Sequence, residues 1–220
     1  MTSWDAKSYW AKADDIAYSI YRQLFDNMEK RGRSLCSFVF NNDLSFELSS
    51  LESQICVDIV HVVKTSNDLL THDNIAVCMA DQDYSEIEIQ TLLPKNSQVR
   101  SVKKDKKFQW DLLNVIRHEL EHVMQGCNLT VNIPELIDYN RSNSNFLLDS
   151  SEVPAYVHGF RIATSTREHF LNTITQFIER HSKHLDLSKK ETDETIQIWN
   201  NYLKNLKYYD RIKDVGEKYE

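Results

Sequence analysis

With 220 residues, 41% of them hydrophobic and 27% charged, and only 4 Gly and 3 Pro, the chain has the composition of a globular, helix-leaning protein and not of a disordered or fibrous one. A net charge of -7 leaves no excess of Lys and Arg to displace phosphate counterions, which argues against general nucleic-acid binding. No stretch approaches the roughly 20 apolar residues needed to span a bilayer, and Cys36, Cys56, Cys78 and Cys127 are scattered singly, with no CxxC pair and no dense disulfide framework.

The first residues, Met1-Thr2-Ser3-Trp4-Asp5, lack a basic segment followed by an apolar run, so a cytoplasmic protein is expected. From 3 to about 31, Tyr9, Trp10, Ala13, Ile16, Ala17, Ile20, Leu24, Phe25 and Met28 recur at helical spacing, with Ser3 as N-cap and Gly32 as stop. Between 34 and 94 the period changes. Segments 35–40, 54–63, 74–80 and 86–93 are rich in Val, Ile and Phe and read as strands, separated by polar clusters such as Asn41-Asn42-Asp43 and Asp81-Gln82-Asp83. In the last, Ile87, Ile89 and Thr91 alternate with Glu86, Glu88 and Gln90, the pattern of a strand with one wet face and a candidate edge or outer strand. His61 and His72 fall in this region, where an isolated histidine is more often a hydrogen-bonded structural residue than a ligand. The run 95–107 sets Lys95, Arg100, Lys103, Lys104, Lys106 and Lys107 against a single Asp105; it reads as a solvated linker, with guidance of acidic partners as the other use of such a run.

A helix follows, marked by Trp110, Leu113, Val115, Ile116, Leu120 and Val123, with Asp111 in its first turn and Gly126 as its stop. It contains His118-Glu119-Leu120-Glu121-His122, an HExxH match. On a helix, positions i and i+4 share a face, so both imidazoles can reach one ion while Glu119 sits beside its open position. Glu121 faces away and reads as an exposed charge; Gln125, one turn beyond His122, can line the cleft. A polar loop follows Gly126, then a long helix from about Ser151 with Pro154 in its first turn. A final helix starts near Ser188, where Ser188-Lys189-Lys190-Glu191 forms a capping box.

A catalytic zinc takes three protein ligands, so a third must come from elsewhere. The metzincin continuation needs Gly at 125 and His at 128, where this chain has Gln125 and Asn128. Downstream, Glu152 followed three residues later by Ala155 resembles the ExxA element of the gluzincins, the zincin branch typified by thermolysin-like peptidases. The resemblance covers roughly 85–160 and has the flavour of small phage or bacterial proteins; for a phage protein the compartment is the infected host's cytoplasm.

That resemblance implies an α+β, zincin-like fold: an N-terminal helix, a small mixed sheet, the HExxH helix, a Glu-ligand helix and C-terminal helices. Length and composition favour a single domain over 1–220 with a helical extension from about 183. The resemblance further implies Zn2+ held by His118, His122 and Glu152, with Asp149, His158 and Cys127 as other candidates for the third ligand. Glu119 is then the general base, and Tyr156 the first candidate for transition-state donor, ahead of His158, Tyr139 and Arg161. Asp149 is also a candidate to orient an imidazole. The expected activity is hydrolysis of a peptide or protein substrate laid along the strand at 86–93, with no membrane partner. The alternative is a non-catalytic zincin-fold structural or interaction protein with a stabilising zinc.

Overall fold

The computed structural model describes residues 6–30, 38–48, 53–68, 73–80, 85–126, 146–149, 151–164 and 166–205. The chain divides into two compact units, Met1–Val131 and Asn132–Glu220. The division falls in the polar connection after the HExxH helix, and the Glu152 helix and the last helices belong to the second unit.

In the first unit, α1 (Ala6–Lys30) precedes four strands, β1 (Phe38–Leu48), β2 (Ser53–Ser66), β3 (Asp73–Ala80) and β4 (Ser85–Pro94). A short α2 (Val99–Val102) and the HExxH helix α3 (Lys106–Gly126) complete it. The combination is α+β. The apolar stripe of α1 is buried as its period requires: Ala13, Ile16, Ala17, Ile20, Leu24, Phe25 and Met28. Phe25 meets Phe108 of α3 edge to face with ring centroids 6.3 Å apart, locking the two helices together.

The strands form one mixed sheet in the order β1-β2-β4-β3, with β2 and β4 parallel and the outer pairs antiparallel. This corrects the edge position expected for 86–93. β4 is bonded on both sides, to β2 and to β3. The alternation itself holds, since Ser85, Ile87, Ile89, Thr91 and Leu93 are buried and the residues between them half-buried. A period of two reports which face is wet, and an inner strand of a sheet with one open face has the same pattern as an edge strand. The first strand also runs further than expected. Asn41, Asn42 and Asp43 do not turn the chain but pair with Val60, Ile59 and Asp58 of β2. Their turn preference yields to a continuous ladder, because strand propensity is subordinate to cross-strand context.

α3 lies alongside β3 and β4 and packs on α1. It begins at Lys106, earlier than a helix with Asp111 in its first turn, because Asp105 accepts a hydrogen bond from Phe108 N at 3.0 Å as its cap. It ends at Gly126, where the sequence puts its stop. The basic run between β4 and α3 is not a loose linker. Lys95 N bonds Ser66 O at 2.9 Å, Asn96 takes the left-handed conformation (φ 66°) that Asn tolerates, and Ser97, Val99 and Val102 are buried.

The described residues of the second unit are mostly helical. A 3-10 turn (Phe146–Leu148) leads to α4 (Glu152–Ala163), α5 (Arg167–His184) and α6 (Lys189–Asn205). The long helix expected from Ser151 is thus two helices. Thr164 turns extended (φ -120°, ψ 139°) and Thr166 caps α5 by accepting from His169 N at 3.1 Å. The capping box at Ser188 is present: Ser188 N donates to Glu191 Oε2 at 2.8 Å and Glu191 N to Ser188 Oγ at 3.3 Å. Trp199, fully buried, donates Nε1–H to Leu147 O at 2.7 Å and so ties α6 to the turn before α4. Among the described residues no helix is long and apolar enough to cross a membrane.

Candidate metal centre

α3 buries Phe108, Leu112, Leu113, Ile116, Leu120, Val123 and Met124 in the unit's core, which fixes the rotation of everything else on the helix. Asp111, Asn114, Val115, His118, His122 and Gln125 are left half-buried along its more open side. The i, i+4 spacing then brings His118 Nε2 and His122 Nε2 to 3.2 Å. Glu119 is 8% exposed, and its Oε1 lies 4.0 Å from His118 Nε2. One ligand atom from each of His118, Glu119 and His122 falls within 4.8 Å of the others.

These residues fit a divalent ion on their own chemistry. Two imidazole nitrogens each about 2.0–2.1 Å from one tetrahedral ion stand about 3.3 Å apart, close to the separation found. His122 Nδ1 lies 3.0 Å from the amide oxygen Oε1 of Gln125, an acceptor; the tautomer with the ring proton on Nδ1 satisfies that contact and leaves the Nε2 lone pair for an ion. That lone pair faces a second Nε2, and two such atoms at this distance need a proton or a cation between them.

Gln125 therefore orients His122, a role beyond lining the cleft. Replacing it with Leu removes the acceptor and is expected to weaken affinity for a divalent ion by about 10- to 100-fold, as loss of an outer hydrogen-bond partner typically does. Gln125→Glu, which keeps an acceptor, should retain or tighten binding. A competition titration with a chromogenic chelator reads both, and equal affinity in wild type and Gln125→Leu would show that the ring needs no such partner.

The residue expected to be an exposed charge, Glu121, is 2% exposed. It does face away from the histidines, but what lies there is α1. Arg117, with no exposed surface, donates Nη1–H to Glu121 Oε2 at 2.8 Å and Nε–H to Asp14 Oδ1 at 3.1 Å. Arg117 and Glu121 each stand one position before a histidine of the HExxH match, and that spacing is the signal by which the sequence could have exposed the network.

The other candidates are placed as follows. His61 is not part of the histidine group: it is buried on β2, shares a 3.0 Å hydrogen bond between Nε2 and Thr91 Oγ1 of β4, and has its pKa lowered to about 4 by desolvation. Glu152 is the first residue of α4, half-buried, in the second unit. Tyr156, one turn on, has its ring among Phe160, Phe177 and Trp199, at centroid distances of 5.8, 4.4 and 6.3 Å. That is the packing role open to any tyrosine on this helix. Asp149, expected as a ligand or an imidazole partner, is exposed, and its Oδ1 accepts from Ser151 N at 2.7 Å and Ser151 Oγ at 2.6 Å just before α4. His158 and Arg161 are buried on α4. His72, Cys127 and Tyr139 lie outside the described residues.

No family model, curated protein or solved structure matches this chain, so the reading of the site rests on its own residues.

Proposed function

We propose that the protein is a zinc-dependent peptidase of zincin type, gluzincin branch, with His118, His122 and Glu152 as metal ligands and Glu119 as general base. The observation that carries this reading is the convergence of the two Nε2 atoms at 3.2 Å with the buried Glu119 carboxylate beside them. A structural zinc closes its coordination with four protein ligands and has no use for a base at its side, which favours catalysis over a stabilising ion.

When bound, zinc supplies Lewis acidity that polarises a carbonyl and lowers the pKa of a water towards about 7. Glu119 takes a proton from the attacking water and returns it to the leaving amine nitrogen. Gln125 holds His122 in the tautomer that can ligate. Tyr156, whose ring packs among Phe160, Phe177 and Trp199, is proposed as the donor to the developing oxyanion. For the substrate, β4 offers no unpaired edge. Among the described residues β3 pairs on one side only, with β4, and lies alongside α3. A peptide substrate added as a strand therefore docks on β3.

Elemental analysis after zinc reconstitution tests the site. Wild type and Glu119→Gln are expected to carry one zinc per chain, and His122→Ala and Glu152→Ala to lose it. Glu119→Gln should also cleave peptides about 10²- to 10⁴-fold more slowly. A wild type that takes up no zinc ends the reading; zinc retained in Glu152→Ala removes Glu152 from the ligand set.

A further inference from the structure

The basic run 95–107 is unused by the chemistry above, and its construction is unlike that of a solvated linker. Its apolar side chains, Val99 and Val102, point inward, and Ser97 Oγ donates to Pro94 O at 2.8 Å. Ser101 Oγ donates to Gln98 O at 2.7 Å. The backbone is thereby pinned, and Lys95, Arg100, Lys103, Lys104, Lys106 and Lys107 all point outward. Lys103 pairs with Glu29, and Lys107 with Asp111 at 2.8 Å. Among the described residues Lys95, Arg100, Lys104 and Lys106 make no ion pair, and the run's one carboxylate, Asp105, caps α3. Six cations and one anion in this run leave the rest of the chain at -12. Four cations within twelve residues of chain, none of them in an ion pair among the described residues, make a local excess of positive charge that an anionic partner relieves.

We propose that this turn is a docking site for an acidic segment of the peptidase's protein substrate. The placement follows from α3 itself. Lys107 and His118 are eleven positions apart, which is about 16 Å along the helix axis and within about 20° of the same face. The half-buried Asp111, Asn114 and Val115 lie between them on that side. An extended peptide covers about 3.3 Å per residue, so an acidic cluster about five residues from the scissile bond reaches the turn. A short acidic segment matches a patch of this size. A long polyanion such as a nucleic acid duplex, with a charge every ~1.7 Å, runs past it onto a surface of the opposite preference.

That the partner is a substrate rests on the peptidase reading; that the turn holds an acidic peptide does not. The test uses the full chain and a fluorescein-labelled decapeptide of alternating Glu and Asp, its Gln/Asn counterpart, a 30-base-pair duplex and phosphatidylserine vesicles. Wild type should bind the acidic peptide at least ten-fold more tightly than the neutral one, with affinity falling between 50 and 200 mM salt. The combined Lys95→Glu, Arg100→Glu, Lys104→Glu, Lys106→Glu variant should lose that preference, and so should the version with Gln at all four positions, which guards against charge reversal unfolding the turn. An acidic tail on a cleavable peptide should lower KM about ten-fold with kcat unchanged. No preference, a preference that survives both variants, or tighter binding to duplex or vesicles overturns the proposal. Specific binding with no cleavage of any peptide leaves the docking site standing and removes the peptidase reading; cleavage with no charge preference does the reverse.

Discussion

Arg117→Ala is expected to cost about 3–5 kcal/mol of stability, the usual consequence of removing one partner from a buried ionic group. Arg117 has no exposed surface, and its loss removes the guanidinium that donates to both Asp14 and Glu121, 7% and 2% exposed. Neither can be rehydrated without opening the α1–α3 contact. The cost comes from the stranded charges and not from any great strength of the pairs. The combined Asp14→Leu, Arg117→Met, Glu121→Leu variant should therefore recover most of the loss, because a well-packed apolar replacement of a buried ionic triad is often neutral or better. Urea unfolding, with hydrogen exchange in α1 and α3 to isolate the first unit, reads both variants. A single-variant cost under about 1 kcal/mol would mean the triad is solvated and does not hold the helix. The network sits one position before each histidine, so it also fixes the rotation at which α3 presents them.

Acid should loosen the sheet through His61. Its pKa falls from 6.5 to about 4 because burial penalises the charged ring. Between those values the unfolded chain holds a proton that the folded chain refuses, so stability rises with pH. The contribution is complete above about pH 6.5 and is lost progressively as the pH falls towards 4, to a total of about 3 kcal/mol. His61→Gln keeps a hydrogen-bonding group for Thr91 but does not titrate. Unfolding free energies of wild type and variant between pH 7 and 4.5 should diverge in slope, wild type being the steeper. Parallel slopes would place the protonated ring where water can reach it.

Much of the candidate site was legible because it is local. His118, Glu119, His122 and Gln125 lie on consecutive turns of one helix, and a period of 3.6 residues relates their directions wherever that helix is placed. The capping box at Ser188 and the stop at Gly126 are local in the same sense. Glu121 shows the limit: helical geometry correctly turned it from the histidines, yet whether that side meets water or another helix depends on α1, more than a hundred residues earlier.

What the sequence by itself determined, then, is the set of relations that a helix or a strand imposes on its own residues: the converging imidazoles, the buried stripe of α1, and the alternating faces of β4. The tertiary structure alone decided which strand lies inside the sheet, where Arg117 finds its carboxylates, and that the chain divides at 131. The physical reason is that backbone geometry repeats within an element and fixes side-chain direction there. The hydrogen-bond partner of a strand and the neighbour of a helix face are chosen across long chain separations, by which pairing buries the most apolar surface with the fewest unsatisfied polar groups.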